Sequence, residues 1–169
     1  MASVRPRRQA REREKGAALV EFALSLPLLL VVIAGIVDFA FLFQRYEVVT
    51  NAAREGARLG TTPVYAGQVD LVRAHAQSYV REGLGMTQAA VDAVVPLPQN
   101  IDVSTHTRTY TIDGNTYNIE VIRVEVTYEH DFLLLGPVLA LIGGSWGDNT
   151  DIVGISEMRL EAPGSETGG

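Results

Sequence analysis

The order of apolar and polar positions divides the chain. From Ala17 to Val37 every residue is apolar except Glu21 and Ser25. As a helix those 21 residues measure ~31 Å, which matches a bilayer core of roughly 30 Å. Asp38 then falls near the outer interface, and Phe39, Phe41, Phe43 and Tyr46 follow as an aromatic belt would. Pro27 and Gly35 are tolerated in a membrane helix, with a kink expected at Pro27. The helical signal then continues: residues 44–60 hold no proline, and Val48, Ala52, Gly56 and Gly60 recur every fourth position. With Ala53 and Ala57 beside them, these small side chains let another backbone approach closely, either the protein's own sheet or a partner helix. Glu55 and Arg58 can pair at i, i+3 on the exposed side. The pattern predicts one helix over Ala17–Leu59, with Gly60 as its C-terminal cap and Thr61-Thr62-Pro63 as its end.

The remainder alternates between two periods. Gln68–Arg81 reads as an amphipathic helix presenting Val69, Val72, Ala76 and Tyr79 or Val80, ended by Gly83 and Gly85. Thr87–Val94 reads as a short helix with Thr87 as N-cap, stopped by Pro96 and Pro98. Ile101–Ile112 and Tyr117–Tyr128 read as strands joined by an Asp113-Gly114-Asn115 turn, and Ile152–Glu161 as a third strand. In the second strand Ile119 and Val121 share one parity while Ile122, Val124 and Val126 share the other, which predicts a bulge near Val121. Phe132–Ile142 is a second apolar stretch, broken by Gly136-Pro137 and too short to span a bilayer. The favoured reading is a core-covering loop or short helix; the other is a surface that leans on lipid or a neighbouring subunit. The expected fold is α+β: a long N-terminal transmembrane helix extending into a small extracytoplasmic domain with one or two helices and a three-stranded antiparallel sheet. The expected organisation is a basic cytoplasmic leader (1–16), the helix (17–60), the α+β domain (61–161) and a polar tail (162–169).

Charge sets the orientation. Before Ala17, six basic residues face two acids, whereas the rest of the 169-residue chain holds eight basic and eighteen acidic residues. A short basic segment before an apolar span stays on the cytoplasmic side and can touch anionic headgroups, which puts the acidic body across the membrane. An acidic body lacks the basic footprint that nucleic acid requires. A secretory signal peptide cut after Ala34 is the competing reading, but the apolar run continues through Phe43 and Glu21 would interrupt its core.

Chemistry-bearing patterns are weak. No cysteine is present, so neither a disulfide framework nor a thiolate metal site can form. His75, His106 and His130 are far apart, without ligand spacing, and read as solvated or turn histidines. Gly143-Gly144-Ser145-Trp146-Gly147 matches G-x-S-x-G, but a nucleophile elbow needs a strand before it and a helix after it, and Asp148-Asn149-Thr150-Asp151 is turn composition. Asp148, Asn149 and Asp151 lack the spacing and distal Glu of a recognised Ca²⁺ loop. No cofactor motif appears, and no enzyme activity is expected.

Glu21 is therefore the residue to explain. A carboxylate within a span costs about 2.5–3.5 kcal/mol on insertion scales and persists where it finds a partner. If the chain is cut after Gly16, Ala17 carries a free ammonium one helical turn from Glu21, and the carboxylate can meet the terminus of an adjacent copy. A Glu21 that snorkels to the cytoplasmic interface explains the residue equally well on physics alone.

Gly16–Phe39 (GAALVEFALSLPLLLVVIAGIVDF), followed by TNAAREGAR at Thr50–Arg58, resembles the TadE-like family of tight-adherence pilus assembly proteins. The resemblance implies a prepilin-type signal, with Gly16 and Ala17 flanking the bond cut by a prepilin peptidase, Glu21 as the processing and assembly glutamate, and Phe22 as its aromatic. It implies a minor pilin or pseudopilin in the cytoplasmic membrane whose partners are other pilins, the peptidase and platform membrane proteins, and which can enter a surface pilus. The rival readings are an unprocessed single-pass anchor displaying a binding module, and a hydrolase using Ser145.

Overall fold

The computed structural model describes residues 6–65, 67–144 and 149–160, with side chains from Lys15 onward. The leading element is α1 (Pro6–Thr61), which starts earlier than the apolar run predicts. The reason is local: residues 7–15 are mostly Arg, Glu, Gln, Lys and Ala, strong helix formers, and Pro6 occupies the first position, where its missing N–H costs nothing. Pro27 lies inside the helix without ending it. Gly60 is not the cap. It continues the helix, and the end is built by Thr62, whose N–H bonds the Leu59 carbonyl at 3.0 Å, and by the Thr61 hydroxyl, which donates to the Arg58 carbonyl at 2.8 Å. Glu55 and Arg58 pair at 2.7 Å on the exposed side.

A 3-10 turn (Pro63–Tyr65) leads to α2 (Val69–Gly83) and α3 (Gln88–Val94). Gly85, at φ +62°, closes α2: its N–H bonds the Glu82 carbonyl and the Met86 N–H bonds that of Arg81. Thr87 caps α3 by accepting from the Ala90 N–H at 3.3 Å. β1 (Ile101–Ile112), β2 (Asn115–Asp131) and β3 (Asn149–Arg159) then form an antiparallel sheet in the order β1-β2-β3. Asp113 (φ 51°) and Gly114 (φ 78°) make the two-residue hairpin between Ile112 and Asn115; both need positive φ, the conformation that Asp-Gly tolerates best.

The expected bulge near Val121 is absent. Both ladders run in unbroken register, β1 to β2 from Ile101↔Val126 to Ile112↔Asn115 and β2 to β3 from Val121↔Arg159 to Asp131↔Asn149. The parity change has another cause. Ile122, Val124, Val126, Tyr128 and His130 point to the core, while Val121 is buried on the opposite face, where its register partners are His106 and Arg159. Long side chains there shelter an apolar residue without any change of pleat. The same face carries Glu157, which bonds Arg108 and lies 3.8 Å from Arg123 and 3.7 Å from His106, so one carboxylate ties the three strands together. Asn149–Asp151 is also not a turn: it opens β3, opposite Asp131–Glu129. Ser145, Trp146, Gly147, Asp148 and the tail from Glu161 lie outside the described residues.

Contacts divide the chain into two units, residues 6–40 with 132–144, and residues 41–131 with 149–160. The second unit holds the main core: Val49, Ala52, Ala53 and Ala57 of α1, Val72, Ala76 and Val80 of α2, Val91 and Val95, and the inner face of the sheet. The first unit holds the apolar part of α1 and a fourth helix, α4 (Leu135–Leu141), the short-helix form of the second apolar stretch.

Candidate functional site

The first group of interest lies along the apolar part of α1. Lys15–Thr61 contains a stretch long and apolar enough to cross a membrane, of mean hydropathy 2.6 and with 11% of its residues buried. Leu24, Leu28 and Ile36 are 76%, 69% and 66% exposed, so the helix presents apolar surface of the kind that only lipid or other helices cover. Gly16, Ala17, Glu21 and Phe22 are all exposed, and among the described residues no side chain lies within 4 Å of where a Gly16 Cβ would stand. Ala17 and Glu21 are one turn apart on the same helix face. The Ser25 hydroxyl donates to the Glu21 backbone carbonyl at 2.9 Å, while among the described side chains none bonds the Glu21 carboxylate.

The small residues sit elsewhere. Ala52, Ala53 and Ala57 are fully buried in the core. A Cβ on Gly56 would stand 3.2 Å from Val124 Cγ1 and 3.3 Å from Ala76 Cβ; one on Gly60 would strike Ile122 Cδ1. Of the two contacts such a stripe permits, the structure shows the one with the chain's own sheet and α2.

Two groups escaped the sequence reading. The first is Asp38, 1% exposed. Its Oδ1 accepts from the N–H groups of Leu133 (3.2 Å) and Leu134 (3.1 Å), and its Oδ2 from Leu134 (3.0 Å) and Leu135 (2.7 Å). Leu134, the N-cap of α4, has no capping side chain of its own, so the carboxylate from α1 satisfies the otherwise unpaired donors and faces the positive end of the short helix. At the other end Gly143 (φ +76°) donates to the Ala140 carbonyl and Gly144 to that of Leu139, which completes the C-terminal cap. The sequence offered only an acid directly after a span, and its partners are backbone groups about 95 residues away.

The second is Arg45. Its guanidinium lies 5.8 Å from the Phe41 ring centre and 5.9 Å from that of Tyr128, and Nη1 donates to His130 Nδ1 at 2.7 Å. An arginine can only donate, so Nδ1 accepts and the proton of this neutral ring sits on Nε2. His130 is 1% exposed, which corrects its reading as a solvated or turn histidine. Its even parity with Ile122–Tyr128 was the available signal. Burial pushes the Tyr128 phenol above its ordinary value, against the opposing pull of Arg45. A folded-state value above the unfolded one, about 10, means that the native state holds this proton more tightly. Its contribution is therefore intact below pH about 10 and lost as pH rises through the folded value. Urea unfolding should show stability falling between pH 9 and pH 11, with a shallower fall in Tyr128→Phe; equal slopes would contradict this.

A shallow apolar groove of about 360 Å³ is lined by Leu42, Phe43, Tyr46 and Thr150–Val153. Most of its lining surface is apolar, which favours an apolar side chain over a polar ligand.

These features define a class: one membrane-length helix whose far end is built into the core of an α+β body. Residues 16–58 match the family model described as TadE-like protein, so the resemblance seen in the residues is shown over that segment, about a quarter of the chain. The matched segment opens on Gly16, includes Ala17, Glu21 and Phe22, and ends at Arg58, just after the buried Ala52, Ala53, Gly56 and Ala57. No curated protein and no solved structure matches the chain.

Proposed function

We propose that the protein is a structural subunit of a tight-adherence pilus assembly system, a minor pilin or pseudopilin cut by a prepilin peptidase between Gly16 and Ala17. The carrying observation is that the TadE-like match begins at Gly16 and encloses a lipid-length apolar helix with Glu21 one turn beyond Ala17. In this reading the helix anchors the chain in the cytoplasmic membrane with its basic end inside, and the body stands on the other side. Cutting exposes the Ala17 ammonium, and Glu21 of an adjacent subunit pairs with it, which removes the cost of an isolated charge for both. α1 runs unbroken through Gly16-Ala17, so the bond must leave the helix to be cut; glycine lowers that cost by about 1 kcal/mol relative to alanine. The role is structural, and the partners are other pilins, the peptidase and platform membrane proteins. The small residues 52–57 serve it indirectly, by fixing the helix into the body.

Mass spectrometry of the amino terminus of the native protein tests the proposal. The expected mature chain begins at Ala17, and Gly16→Arg should leave the full leader in place. A terminus at Met1 or Ala2 would favour the unprocessed anchor displaying a binding module; one at Gly35 would favour secretion.

A further inference from the structure

The 13 residues Phe132–Gly144 contain no polar side chain. In water such a segment folds inward, yet Leu133, Leu141 and Ile142 are 65%, 79% and 52% exposed. Asp38 fixes where they are. It directly follows the last residue of the apolar run, and its carboxylate holds the N–H groups of Leu133–Leu135. Leu135 approaches the same stretch of α1, with Cδ2 3.9 Å from where a Gly35 Cβ would stand. α4 thus begins at the level where the span ends, in one unit with Ile33, Ile36 and Phe39, which are 48%, 66% and 49% exposed.

From this juxtaposition we infer that α4 is a membrane-resting element, seated in the headgroup and upper acyl region of the outer leaflet and clamped to the anchor helix by Asp38. Seven helical residues span ~10 Å, which is a length for lying in the interface and not for crossing it. An interfacial helix at a water boundary normally keeps a charged face outward; this one has none, which suits immersion among lipids more than display. The surface is continuous with the lipid-facing side of α1, and this continuity makes lipid, and not a second protein, its occupant. The inference rests on the span at 17–37 and does not depend on cleavage or pilus formation.

The absence of cysteine makes the test direct. Single cysteines are introduced at Leu141 and Ile142, at Leu28 in mid-span, and at Tyr110 beside the hairpin, in the otherwise intact chain. Each is labelled with an environment-sensitive fluorophore and reconstituted into phosphatidylcholine–phosphatidylglycerol vesicles. Labels at 141 and 142 should be quenched at least twofold more than the label at 110 by lipids spin-labelled near the headgroup, and protected from aqueous iodide, while the label at 28 should be quenched by lipids spin-labelled deep in the acyl chain. In Asp38→Ala, lipid quenching at 141 should fall towards the level at 110, while Asp38→Asn, which keeps one acceptor oxygen, should fall less. If 28 is quenched but 141 and 142 behave like 110, α4 does not touch lipid and the inference fails alone. If 28 is not quenched either, the span fails with it. Protection at 141 that appears only at high protein-to-lipid ratio makes the surface a contact between copies and overturns the lipid assignment. Unchanged quenching in Asp38→Ala overturns the clamp.

Discussion

Replacing Gly154 by alanine is expected to lower the stability of the body by about 3 kcal/mol, the upper part of the range for overpacking. The reason lies in what a Cβ would meet: the Val49 carbonyl oxygen at 2.7 Å, the Val49 carbonyl carbon at 2.8 Å and the Thr50 nitrogen at 2.9 Å. These are backbone atoms of α1, which cannot move without shifting a helix packed on the sheet. The other glycines of this contact should rank below it. A methyl on Gly60 meets the end of the Ile122 side chain, which can change rotamer, so Gly60→Ala should cost about 1–2 kcal/mol. A methyl on Gly56 meets Val124 and Ala76 at 3.2 and 3.3 Å, a tight fit offset by roughly 1 kcal/mol of helix propensity, so Gly56→Ala should lie near zero. Gly56→Leu gains nearly the same propensity, but its larger side chain has no room against Val124 and Ala76, and it should cost as much as Gly154→Ala. Urea unfolding of the full chain in detergent, followed by circular dichroism, gives the order; a Gly154→Ala protein within 0.5 kcal/mol of the parent would refute it.

This ranking shows what periodicity can and cannot reveal. The four-residue recurrence of Val48, Ala52, Gly56 and Gly60 marked the close-packing face of α1, because steric need writes itself into side-chain size at helical spacing. It did not identify the surface opposite. Gly154 sits in a strand whose pattern reads the same with or without it, and only the tertiary contact with Val49 explains it. The strands and α2 and α3 were legible because turn chemistry and capping are local: Asp113-Gly114 and Thr87 act within a few residues of themselves. Gly60 was misassigned because a glycine near a helix end satisfies two different needs, positive φ and absent side chain, and sequence does not separate them. A similar ambiguity lies behind the expected bulge near Val121: a parity change means either an extra residue or a second sheltered face, and here Val121 has the second. At the candidate site, Glu21 stands out in the sequence because the cost of a carboxylate in a span is itself local, whereas Gly16 and Ala17 are marked only by the TadE-like resemblance and their role stays a proposal. Asp38 and Arg45 were not legible, since each acts on groups remote in sequence: three main-chain N–H groups in one case, and His130 and Tyr128 in the other.

The largest functional effect is expected from Glu21→Gln. The substitution keeps the side chain's size, and Glu21 is exposed on α1, so neither the helix nor the body should lose stability. Membrane insertion should be equal or better, because a neutral amide is cheaper in hydrocarbon than a charge. What the change removes is the partner of an ammonium. Under the proposed assembly, each incoming subunit would bring an Ala17 terminus to a glutamate already in place, and without the carboxylate that terminus is left charged and unpaired in low dielectric. Losing one partner of a buried pair costs about 3–5 kcal/mol, which corresponds to a fall of roughly two to four orders of magnitude in the equilibrium for adding a subunit. The expected result in the native host is therefore a protein of normal abundance, correctly placed in the membrane fraction, and absent from sheared surface fibres. Glu21→Asp retains the charge on a shorter reach and should restore part of the incorporation. The alternative, a carboxylate that merely snorkels to the headgroups, gives a different result: Glu21→Gln and the parent then enter fibres alike, because an interfacial charge in contact with water contributes little to any contact between subunits. Quantifying the protein in sheared and membrane fractions for the three chains decides between them, and normal incorporation of Glu21→Gln would remove the charge-pairing mechanism from the proposed function.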